Sequence, residues 1–138
     1  MHLNEWIQKG RVYIWTYEGN PKSYRGWHLT CDKDGAESLA HLVAAIADAD
    51  MGKRRTVKLT RPSDAQLLVP NCKFKHHSFD KLVVSHGSAW LIESDAERVV
   101  LSIPSELAES LKARISGIPR GKGDISMGIP GSELWFWW

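Results

Sequence analysis

Nowhere in the 138 residues is there an apolar run approaching the roughly 20 that a membrane-spanning helix requires, so no membrane span is expected. The opening MHLNEWIQKGR is charged and mixed, without the apolar centre of a secretory signal. Cysteine is scarce: Cys31 and Cys72 stand alone, which excludes a disulfide scaffold and points to reduced thiols in a cytoplasmic protein. Internal repeats, low-complexity tracts and linkers are missing, so residues 1–138 read as one domain. A dominant charge is lacking as well. The net charge is +2, whereas a dedicated nucleic-acid binder usually carries a strong basic excess.

What is present is the composition of an ordinary folded protein, 43% hydrophobic and 25% charged. A short helix is expected over Leu3–Lys9, ended by Gly10. RVYIWTY is β-branched and aromatic and is broken at Gly19-Asn20-Pro21, as a strand before a turn should be. RGWHLTC resumes extended chain, with Trp27, Leu29 and Cys31 on one face. DGAESLAHLVAAIADAD carries Leu39, Leu42, Val43 and Ile46 on one helical stripe, with Asp34 and Glu37 at capping-box spacing and Gly52 as the stop. A strand is expected at Thr56–Thr60 with Val57 and Leu59 inward, then a long loop from Ser63 to Ser78. Phe79–Ser85, Ala89–Glu93 and Arg98–Ile103 read as an antiparallel meander. Pro104 opens a second helix whose face holds Leu107, Leu111 and Ile115, and Gly117 ends it. Asp124–Ile129 and Glu133–Trp138 are the last two strands. The class is therefore α+β: a mostly antiparallel sheet of about seven or eight strands in hairpins and a meander, with two main helices packed on one face.

The last of these strands has an unusual composition, GSELWFWW. In an extended chain Leu134, Phe136 and Trp138 point one way and Trp135 and Trp137 the other. A strand apolar on both faces belongs inside a sheet or under a covering element. Trp135, Trp137 and Trp138 are thus both core candidates and, where a ring reaches the rim, candidate binding residues, since Trp, Tyr and Arg dominate binding hot spots.

Four other patterns bear on chemistry. From Lys53 to Lys81 there are eight Lys/Arg against two Asp, while the rest of the chain carries ten cations against fourteen acids. Arg54, Arg55, Lys73 and Lys75, with His76 and His77 and the neighbouring Phe74 and Phe79, have the mixture of cations and rings used to hold phosphates and stack on bases. His28-x2-Cys31 with Cys72-x3-His76-His77 offers imidazole and thiolate ligands of the kind zinc prefers. Positions 28 and 31 of a strand project to opposite faces, however, and no metal or other cofactor is expected. RGKGD (Arg120–Asp124) has the composition of a phosphate loop in the wrong order, helix before strand. Ser85, His86 and Ser88 lie close to Asp80 and Asp95. Adjacent strand residues face opposite ways, and His86-Gly87 is better explained as turn chemistry.

The sequence therefore leans against an enzyme. It favours a small non-catalytic cytoplasmic interaction domain, of the immunity or regulatory kind, binding a protein partner or its own copy through the aromatic-rich surface. An anion or single-stranded nucleic-acid binding module on the 53–81 segment is the first alternative. An enzyme with a site around His28, His76 and His77 is the second.

Overall fold

The computed structural model describes residues 3–17, 26–61, 76–121, 125–129 and 131–137. For His76 and Ile125 only the backbone is described. The order of elements is β1 (Val12–Tyr17), β2 (Trp27–Cys31), α1 (Lys33–Asp48), β3 (Arg54–Lys58), β4 (His76–Ser78), β5 (Lys81–His86), β6 (Leu91–Ser94), β7 (Arg98–Ile103), α2 (Ala108–Gly117), β8 (Ile125–Met127) and β9 (Leu134–Phe136). The strands form two mixed sheets, β4-β1-β2-β9-β8 and β3-β5-β7-β6. Most neighbours are antiparallel; β2 with β9 and β5 with β7 are parallel. The class is α+β as expected, divided between two sheets.

Both sheets and both helices contribute to one core. Ile14, Leu29 and Leu134 of the first sheet meet Leu82, Val84 and Leu101 of the second, along with Leu39 and Val43 of α1 and Leu111 and Ile115 of α2. All ten are buried to within 5% of complete exclusion from water. At roughly 1.5–3 kcal/mol for each large side chain, their burial dominates the favourable side of folding.

The meander does not form. β6 pairs with β7 from outside, and β7 lies between β6 and β5. The reason is the chemistry of each strand's two faces. β5 buries Val83 as well as Leu82 and Val84, so it needs neighbours on both sides. β6 buries Ile92 alone and exposes Leu91, Glu93 and Ser94, which suits an edge.

Other boundaries also differ. The chain near its start forms a single 3₁₀ turn, Leu3–Glu5, in place of a helix to Lys9. Trp6 turns into the core and its Nε1 donates to Ser38 O at 2.7 Å, while the Ser38 hydroxyl bridges N and O of Lys9. That segment is thereby laid along α1 and cannot continue as a helix. α1 is capped by Asp32, whose Oδ1 accepts from Gly35 N at 2.7 Å and from Arg11 N at 2.9 Å; Asp34 sits inside the first turn. β3 begins two residues earlier than expected, with Val57 and Leu59 buried as anticipated. His76–Ser78, at the end of the expected loop, is a strand paired with β1.

The tight connection from β6 to β7 is held by Asp95, whose Oδ1 accepts from Glu97 N (2.9 Å) and Arg98 N (2.8 Å). These two backbone donors hold the carboxyl below the usual carboxylate range. A depressed folded-state value means stability that is present above the unfolded value, about 3.9, and lost as pH falls through the folded one. Acid unfolding followed by circular dichroism is therefore expected to be less steep for Asp95→Ala than for the parent. Coincident acid limbs would contradict this.

Candidate functional site

Alternation along three strands of the first sheet collects aromatic side chains on its outer face. β1 turns Val12 and Ile14 inward and Tyr13, Trp15 and Tyr17 outward. β2 turns Leu29 and Cys31 inward and His28 outward; β9 turns Leu134 and Phe136 inward and Trp135 outward, with Trp137 following. The registers Trp15↔His28 and His28↔Trp135 set three rings on one rung across β1, β2 and β9.

His28 is the hub of this cluster and is completely buried. Its ring stacks on Trp15 (5.6 Å between centroids), Trp137 (5.9 Å) and Trp135 (6.5 Å), and Tyr17 meets it edge-on at 4.9 Å. Trp137 Nε1 donates to His28 Nδ1 at 2.8 Å, which places the imidazole proton on Nε2 in the neutral ring. Backbone bonds hold the strand against β2: Trp137 N donates to Leu29 O (2.9 Å) and the Thr30 hydroxyl donates to Trp137 O (2.8 Å). The tail is thus an interior strand of the first sheet up to Phe136. Trp135 and Trp137 remain half-buried, and Trp138 lies outside the described residues. The cluster of Tyr13, Trp15, Tyr17 and Trp137 includes no residue from either helix. Within it, Trp15 is 4% exposed, yet its Nε1 has no hydrogen-bond partner among the described residues.

The outward set on β1 was legible in YIWTY, where an aromatic side chain recurs every second residue. Its convergence with His28 and the tail was not, because these strands are far apart in sequence.

The other candidate residues disperse. His28 and Cys31 project to opposite faces of β2. Burial, and secondarily the charge of Asp32, push the Cys31 thiol far up, so it packs as a protonated apolar group. His77 pairs with Thr16 on the opposite face from His28, its Nε2 donating to Ala96 O at 2.8 Å and its ring edge-on to Phe79. His28 and His77 therefore do not share a cleft. Arg54 and Arg55 also separate. Arg54 is exposed, whereas Arg55 is half-buried over the Trp6 ring (5.8 Å) and donates from Nη2 to Trp6 O at 3.2 Å.

Lys58, Lys81 and Arg98 occupy directly opposed positions across β3, β5 and β7, all exposed. The same end of the sheet holds acids: Arg61 pairs with Asp80 at 2.8 Å and Arg98 with Asp95 at 3.7 Å. The hydrogen bond from Arg61 holds the Asp80 carboxyl below its usual range. Cys72, Lys73, Phe74, Lys75, the His76 side chain and Lys122–Asp124 lie outside the described residues.

His86, read as turn chemistry, is buried with both ring nitrogens engaged. Nδ1 lies 2.7 Å from Ala49 O and Nε2 lies 2.9 Å from Ser105 Oγ. No sequence signal indicated Ser105, since it reaches His86 only through the parallel pairing of β5 with β7. No protein-family model matches the chain, and comparison with curated proteins and with solved structures finds no match.

Proposed function

We propose that the protein is an interaction domain that docks a protein partner on the aromatic outer face of its first sheet. The observation that carries this is the concentration of Trp15, Tyr17, Trp135 and Trp137 around one buried histidine on a face whose described aromatic cluster includes no helix residue. Half-buried Trp rings supply large, rigid contact area at low entropic cost, and they concentrate in binding hot spots. The face has the anatomy of an interface: an aromatic centre, with the hydroxyl of exposed Ser126 on the same rung as Trp135 at its margin.

The test is site-specific photocrosslinking in cells, with a benzophenone side chain at position 135 and a control at Glu109, exposed on α2. A discrete adduct from position 135, to one identified protein or to a second copy of the chain, is expected, with none from position 109. Equal labelling from both positions, or none from 135, overturns the proposal. Sedimentation of the purified protein separates self-association from a foreign partner.

A further inference from the structure

We infer that Ser105 and His86 form a nucleophile–base pair able to cleave a carboxylic ester, a site separate from the aromatic face. The Ala49 carbonyl is an acceptor only, so the 2.7 Å contact requires a hydrogen on His86 Nδ1. In the neutral ring this leaves the lone pair on Nε2, 2.9 Å from Ser105 Oγ, and the hydroxyl donates to it. A serine hydroxyl bonded to a base that is itself oriented by a third group is the arrangement that activates a weak nucleophile.

The third group here is the carbonyl end of a helix. Ala49 is the C-cap residue of α1, and the negative end of the helix dipole favours a positive charge beside it. The imidazolium that forms when His86 takes the serine proton is therefore stabilised from the Nδ1 side without a carboxylate.

The fold also holds the pair rigid. His86 ends β5 and Ile103, its register partner, ends the parallel strand β7, so both groups emerge at the same end of neighbouring strands. His86 N donates to Lys53 O and its carbonyl accepts from Gly52 N, both at 2.9 Å. Gly87, next in the chain, donates to Ile103 O at 3.1 Å, and its lack of a side chain matters because a Cβ there would collide with the Ser102 hydroxyl. Pro104, extended at φ −76 and ψ 150, delivers Ser105 into the 3₁₀ turn that precedes α2. Ser105 is an exposed residue whereas His86 is 8% exposed, so the base is sheltered and the residue that carries the nucleophile lies at the surface.

In the reaction, Ser105 Oγ bonds to the acyl carbon as its proton passes to Nε2. The bond from that carbon to the alcohol oxygen then breaks, and the alcohol leaves with the proton from Nε2. Water, deprotonated by Nε2, attacks the acyl-serine; the acid departs and the proton returns to Oγ.

The experiment is incubation with a fluorophosphonate, followed by intact mass measurement and peptide mapping. One adduct, on Ser105, is expected. It should be absent in Ser105→Ala and at least about 100-fold slower in His86→Gln, in line with general-base contributions. No adduct on Ser105, or an equal rate in a folded His86→Gln protein, shows a structural strap between α1 and the second helical segment and overturns the inference. Should His86→Gln fail to fold, Ser105→Cys decides. Alkylation at that position persisting well below pH 7 marks a thiolate paired with imidazolium and supports the pair. An ordinary thiol profile centred at about 8.5 overturns it.

Discussion

Replacing Phe136 with alanine is expected to lower the unfolding free energy by about 3–5 kcal/mol, enough to leave a protein of ordinary stability partly unfolded. Phe136 is completely excluded from water and sits on β9 with strands on both sides, opposite Leu29 of β2 and Ile125 of β8. Removing its ring leaves a cavity inside the sheet's packed face. It also loosens the strand that joins β8 to the rest of the first sheet. Urea unfolding followed by circular dichroism measures the loss. A drop below about 1 kcal/mol would mean that the ring is not in the core, since even a modest large-to-small change there costs more. Trp135→Ala, on the opposite face and half-buried, should cost less, and that contrast distinguishes core from interface on one strand.

A second large effect has the opposite sign from local propensity. Gly35 lies in the first turn of α1, where alanine is normally better by about 0.8–1.0 kcal/mol. Yet a Cβ at position 35 would overlap the Arg11 carbonyl oxygen and stand 2.8 Å from Arg11 C. Gly10, at φ 68, faces it from the preceding segment, and a Cβ there would strike Gly35 N. The two glycines let the start of the helix rest directly on the chain entering β1, with Asp32 Oδ1 bridging both through Arg11 N and Gly35 N. Gly35→Ala is therefore expected to destabilise by about 1–3 kcal/mol, the cost of overpacking, and a thermal melt would show it as a lowered midpoint. A raised midpoint would mean that the start of α1 does not rest on the chain entering β1.

Both results rest on backbone neighbours that the sequence indicates unequally. The alternation in YIWTY, WHLTC and LWFWW established which side chains share a face, and this placed Leu29 and Cys31 inward, His28 outward, and Leu134 and Phe136 opposite Trp135 and Trp137. The stripe Leu39, Leu42, Val43, Ile46 marked the buried side of α1, and all four are buried. Caps were less legible. Asp32 and Asp34 are both competent, and the choice fell to Asp32 because its carboxylate also satisfies Arg11 N from a neighbouring segment. The candidate site is legible only by halves: the aromatic tail is evident in the sequence, but nothing there joins His28 to it, because β2 and β9 are far apart along the chain. The basic segment read as one surface, yet consecutive residues of β3 face apart, so Arg54 meets water and Arg55 meets Trp6.

By itself the sequence determined the α+β class, the inward and outward faces of its strands, and the insertion of an apolar tail within a sheet. Side-chain periodicity is a local property, set by backbone geometry within a few residues. The tertiary structure alone decided that the strands divide into two sheets, that β7 lies between β5 and β6, that His28 is ringed by Trp and Tyr, and that His86 meets Ser105. Those are choices of neighbour between distant segments, governed by which pairings bury every two-faced strand and leave the polar ones at an edge.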